Sequence, residues 1–189
     1  MKTLNQNRRF VFSFLLMILM SAGSFAQGTY FTRSGYVKFF STTPMEDILA
    51  QNYKVTSVLD ASTGKLEFAV LIKGFEFEKA LMQEHFNENY MESGKYSKST
   101  FKGAINDFDK LDINSIGENN VTVTGDLTIH GVTKKVTIAG TVENKDGKLN
   151  LSSVFKVKPE DYNIKIPGAV KSKIAKELDV TVLMSLSKM

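Results

Sequence analysis

The chain has no cysteine, no tryptophan and only two histidines among its 189 residues. Without thiols there is no disulfide, no thiolate ligand and no cysteine on which a lipoprotein anchor could be built. Two imidazoles, His85 and His130, with no HExxH pattern, fall short of a zinc centre unless carboxylates complete it, so neither a metal nor another cofactor is expected. Gly64 and Gly74 stand alone, and no GxGxxG or phosphate loop is present. The candidate acid-base pairs, Glu46 with Asp47, Glu76 with Glu78 and Asp107 with Asp109, fall at turns or strand ends, where solvated charges are the ordinary case. Stability has to come from an apolar core and from strand ladders.

Long hydrophobic runs are scarce too. FVFSFLLMILM, from Phe10 to Met20, is well short of the roughly 20 apolar residues of a spanning helix. With Lys2, Arg8 and Arg9 before it and Ser24-Phe25-Ala26 after it, the run reads as a secretory signal peptide over residues 1–26, cleaved after Ala26. The expectation is a periplasmic or secreted protein with no permanent membrane anchor, its mature chain a single domain over residues 27–189. The signal holds three of the 24 basic residues and none of the 20 acidic ones, which leaves 21 against 20, a net charge of +1. The basicity of the whole chain belongs to the targeting segment, and a nucleic-acid partner loses its main support.

What the mature chain does have is period-two alternation. In Val121 to Ile138, Val121, Val123, Leu127 and Ile129 share one face, and Val132, Val136 and Ile138 share the corresponding face of a second strand. His130-Gly131 supplies the turn between them, since Gly accepts positive φ. Similar runs cover Tyr36–Ser41, Tyr53–Leu59, Leu66–Ile72, Phe101–Phe108, Leu149–Val157 and Leu178–Leu186, with Asp146-Gly147 as a second hairpin signal. Thr43-Pro44 followed by Glu46 and Asp47 suggests a short helical turn. Two stretches differ in kind. Residues 78–93 place Leu81, Met82, His85, Phe86 and Tyr90 at helical spacing, with Gly94 as the stop, and residues 159–177 gather Tyr162, Ile164, Ile166 and Val170 around Pro167-Gly168. Eight antiparallel strands, with one or two short helices closing the ends, suit a barrel or a two-layered sandwich, which the alternation alone does not distinguish.

Three stretches carry a resemblance. GDLTIHGVTKKVTI at 125–138, DYNIKIP at 161–167 and HFNENYMESGKYSKSTFKG at 85–103 resemble the YceI-like family of bacterial lipocalin-like proteins, from about Ser34 to Leu186. Lys135 stands where the family usually has Pro, Tyr96-Ser97 where it has a Tyr-Pro pair, and Met82-Gln83 near where it has a pair such as Arg-Asp. The resemblance implies an all-β, eight-stranded lipocalin-like barrel and an enclosed polyisoprenoid or other lipid.

On that reading Val37, Phe39, Phe68, Val70, Ile72, Phe101 and Val123 line the interior together with Leu127, Val136, Ile138, Leu151, Phe155, Val180 and Val182. Phe86, Tyr90, Tyr162 and Ile164 sit at the mouth, where His85 or Tyr90 addresses a polar head. Phe and Met, at 14 and 8 residues, supply adaptable apolar surface for a flexible hydrocarbon or simply fill the core. The expected function is therefore non-catalytic binding. Against it stand a lipid isomerase or hydrolase with His85 as base and Glu84 or Glu88 assisting, and a packed, ligand-free envelope or stress protein. Exposed strand edges and helix faces leave a homodimer open.

Overall fold

Nine strands follow one another along the computed structural model, which describes residues 28–189. The expected signal, residues 1–26, and the expected first mature residue, Gln27, lie outside the described residues. The long strands are β1 (Thr29–Thr42), β2 (Asp47–Asp60), β3 (Lys65–Leu71), β5 (Lys98–Ile105), β6 (Gly117–Ile129), β7 (Val132–Lys145), β8 (Lys148–Val157) and β9 (Leu178–Lys188). Each pairs antiparallel with its neighbours in the order β1-β2-β3-β5-β6-β7-β8-β9, and β9 pairs back onto β1, which closes the sheet into an eight-stranded barrel. Closure leaves none of these strands as an edge.

Local chemistry sets the register. His130 and Gly131 have φ of 50° and 75°, and Asp146 and Gly147 have 53° and 74°. Two consecutive positive φ values make a type I′ turn, whose twist matches that of the flanking strands. Ile129 therefore pairs with Val132 and Lys145 with Lys148. Once these pairs are fixed, the alternation decides which side chains point inward.

Several expectations are corrected. A ninth strand, β4 (Glu76–Phe77), adds to β2 beside Ala50 and Gln51. The helical turn expected at Pro44 is instead a bend: Thr43 Oγ1 accepts from the Met45 and Glu46 amides, and Asp47 already begins β2. Phe108 belongs to a 3-10 turn, Phe108–Lys110, after β5 has ended at Ile105. Ile72 likewise opens a 3-10 turn, although its amide still donates to the Ser97 carbonyl at 3.0 Å. The expected helix is α1 (Ala80–His85), continued by a π-helical turn, Phe86–Tyr90. It is stopped by Glu92 at φ 42°, not by Gly94.

The up-and-down order puts both interruptions at one end of the barrel. Residues 72–97 and 158–177 share that end with the 43–46 bend and the His130-Gly131 turn. The opposite end holds the 61–64 and 146–147 turns and the 106–116 segment. It is solid: Leu59, Leu149 and Leu186 are fully buried there, with Leu66, Ile105 and Ile113 packed among them.

Candidate functional site

Above this solid floor the barrel is hollow. A cavity of about 520 Å³ runs from Leu66, Ile105 and Val142 toward the end covered by residues 72–97 and 158–177. That volume lies within the roughly 300–1,000 Å³ usual for small-molecule sites. Its wall is built by alternation, because every second residue of a barrel strand points inward.

From β1 come Val37 and Phe39, from β3 Phe68 and Val70 with Ile72 just beyond, and from β5 Phe101. Strand β6 contributes Val123 and Leu127, β7 Ile138, β8 Leu151 and Phe155, and β9 Val180 and Val182. His85, Phe86, Tyr90 and Ile164 face the same space from the covering segments. Two expected residues lie elsewhere. Tyr162 is not at a mouth: it is buried against Phe101, Leu127 and Val157, and Val136 packs on that cluster instead of facing the cavity. The cluster plugs one side of the covered end, and burial pushes the Tyr162 phenol above its ordinary pKa.

Sequence reading missed a cage of rings. Phe75, Phe77 and Phe86 stand around Phe39 with ring centroids 5.4, 5.8 and 5.5 Å from it, and Phe77 lies 5.0 Å from Phe86. Tilted and edge-on contacts of this kind are the favoured geometry for aromatic pairs. The signal was present in Phe75-Glu76-Phe77, a period-two fragment too short to count as a strand. Met82, Ile166, Val170 and Ile174 also line the cavity.

His130 is also more than a turn residue. Its Nδ1 lies 3.2 Å from the Tyr162 carbonyl and its Nε2 2.8 Å from Glu92 Oε2, so it joins the β6–β7 turn to both covering segments. The Tyr96 ring stands edge-on to it at 4.5 Å.

Polar groups gather at the rim. Glu46, Lys79 and Lys173 line the cavity where the 43–46 bend, the start of α1 and the 158–177 segment converge. Lys79 Nζ lies 3.2 Å from Glu46 Oε1, and Lys173 Nζ lies 3.9 Å from Oε2. Burial raises the pKa of the Tyr90 phenol nearby. His85 is exposed, and Glu84 and Glu88 line a separate shallow groove with Lys73 and Gln83, so these two carboxylates do not converge with His85 on the cavity. No cluster of three or more metal-ligating side chains occurs among the described residues. No helix among them is long and apolar enough to cross a membrane.

A closed antiparallel barrel around an apolar hollow, covered at one end, is the architecture of proteins that enclose small ligands. The chain belongs to the YceI-like domain family, whose model matches residues 31–186. A UPF0312 protein of Pseudomonas putida (strain W619) is 32% identical over 100 residues, 50% of this chain and 47% of that one. Another from Vibrio parahaemolyticus is 46% identical over 50 residues, 26% of this chain and 23% of that one. The chain thus spans about half or less of the length of these curated relatives. Among solved structures, a polyisoprenoid binding domain from Saccharophagus degradans superposes with a TM-score of 0.71 at 12% identity, covering 86% of this chain and 99% of that one. Burkholderia cenocepacia BcnA superposes with a TM-score of 0.68 at 18% identity, covering 82% and 96%. At these identities the two likenesses show the fold.

Proposed function

We propose that this protein encloses a polyisoprenoid or another long-chain amphiphile, exported to the periplasm or secreted, and that it carries, stores or sequesters that molecule without transforming it. The observation that carries the reading is the 520 Å³ hollow, walled by side chains from every strand, β2 included through Ile48, and left unfilled above a floor that is packed solid. A void of this size forfeits dispersion contacts, whereas a hydrocarbon chain seated in it removes apolar surface from water at about 25 cal/mol per Å² on both sides. The flexible Met82 and Met184 and the ring cage around Phe39 offer a surface that adapts to a chain with no fixed shape. The Saccharophagus degradans domain is described as binding polyisoprenoid, which supports that class here.

Catalysis is not part of this reading. A base needs a proton to abstract within reach and a group to orient it. Glu84 and Glu88, the carboxylates nearest His85 in sequence, line another groove.

Mass spectrometry of an organic extract of natively purified protein tests the proposal. A lipid present in stoichiometric amount is the expected result. A clean extract, with no binding of long-chain prenols or fatty acids added afterwards, overturns it.

A further inference from the structure

We propose that the molecule held in the cavity has an anionic head, a phosphate or a carboxylate, and that Lys79 and Lys173 at the rim select it. The inference rests on the lipid-binding reading and adds the chemistry of the head. Hydrophobic wall cannot satisfy a polar head, so the head must lie where polar groups are, and the charged side chains lining the cavity besides His85 are Glu46, Lys79 and Lys173. All three stand at the covered end.

Stability does not explain the trio. The two lysine side chains are 62% and 48% exposed, and pairs that open to water contribute little to folding. Their position is better explained by what they face. Each ammonium carries three N–H donors, and the single carboxylate between them leaves the group with one positive charge in excess. Lys79 makes the closer contact at 3.2 Å, while Lys173 at 3.9 Å is beyond hydrogen-bonding distance and so has its donors free of Glu46. The covering segment that carries Lys173 has the same sign over residues 164–176. From Ile164 to Lys176 the covering segment carries Lys165, Lys171, Lys173 and Lys176 and no acidic residue, and the next acid, Glu177, is paired with Lys158 at 3.3 Å. The segment is held over the rim by the Ala175 amide, which donates to the buried Ser41 hydroxyl at 2.9 Å.

Glu46 then has a definite role. It is the internal anion that holds the two lysines, and an incoming head competes with it. Removing its charge strengthens the site, and removing the lysines weakens it for charged ligands alone.

The test is a competition for the delipidated full-length exported protein between geranylgeranyl monophosphate and geranylgeraniol at equal concentration, with the bound ratio read by mass spectrometry of the extract. The protein is expected to prefer the phosphate about tenfold, which corresponds to about 1.4 kcal/mol. The double variant Lys79→Gln with Lys173→Gln brings the ratio toward one by weakening uptake of the phosphate. Arginine at both positions restores the preference, and Glu46→Gln increases it. An equimolar amount of inorganic phosphate leaves the ratio unchanged; if it abolishes the preference, the rim is a site for a free oxyanion and the inference fails. Equal uptake of the two lipids by the unmodified protein also overturns the inference but leaves lipid binding standing. Failure to retain either lipid overturns both.

Discussion

His130 Nε2 lies 2.8 Å from Glu92 Oε2 across the covered end of the barrel, with the His130 side chain only 9% exposed. The pair spans 38 residues of sequence and, with the bond from Nδ1 to the Tyr162 carbonyl, fastens both covering segments to the β6–β7 turn. His130→Ala leaves the Tyr162 carbonyl and the Glu92 carboxylate without this donor, at an expected cost of about 2 kcal/mol. Amide hydrogen exchange over residues 85–97 and 158–165 should accelerate far more than exchange in β8 and β9. Uniform acceleration everywhere would mean that the clasp is part of the global core.

Gly103 lies directly across from Gly125 in the β5–β6 ladder. A Cβ on either would meet the Phe101 ring tip at 2.7 Å, and each would also run into the backbone of the other strand. The two glycines make room for the ring that forms part of the cavity wall. Valine at either position should destabilise by about 2–3 kcal/mol in chemical denaturation, as overpacking does, and Phe101→Leu in the same chain should recover part of the loss. No recovery would place the strain in the ladder alone.

The solid floor and the hollow above it should respond differently to truncation. Leu186 is fully buried, and Leu186→Ala is expected to cost about 2–5 kcal/mol because a new void opens in packed surroundings. Val180 faces existing empty space, so Val180→Ala loses little beyond transfer of two methyl-sized groups, about 1.5 kcal/mol. Equal costs per carbon removed, measured by denaturant midpoints, would contradict a hollow upper barrel.

At the floor end, the Ser62 hydroxyl and amide, and next the Thr63 hydroxyl, bond the Asp60 carboxylate and hold its pKa at about 2, below its ordinary 3.8. A carboxyl whose pKa is lower folded than unfolded adds stability above the unfolded value, and that stability is lost as pH falls through the folded one. The difference in melting temperature between the parent and Asp60→Asn should therefore be constant above about pH 4 and shrink between about pH 4 and 2. A difference that persists unchanged to pH 2 would show that the carboxylate form is not what the turn stabilises.

The strands were legible because period two is a local signal, and one residue of slip would turn every apolar side chain outward. Val121 to Ile138 alone fixes two strands, their turn and their inner face. The helix was legible in its apolar spacing, but not its stop, because Glu92 takes a left-handed φ that its residue type does not announce. Tyr162 was misplaced for a related reason: its neighbours Ile164, Ile166 and Val170 face the cavity, while its own ring turns into the plug with Leu127 and Val157. Nothing local separates the two. Glu46, Lys79 and Lys173 come from three segments far apart in sequence, and only closure of the barrel brings them to one rim.

The native mass spectrum of Val123→Phe beside that of the parent tests most directly whether the upper barrel is empty space for a ligand. The added ring enters the cavity between Ile105 and Ile138, the residues paired with Val123 on either side. The parent should carry the extra mass of a bound amphiphile, and the variant should remain folded, with the charge-state distribution of the parent, but without that mass. A variant that unfolds, as overpacking of a filled core would make it at a cost of about 1–3 kcal/mol, together with a parent that carries nothing, would contradict the account.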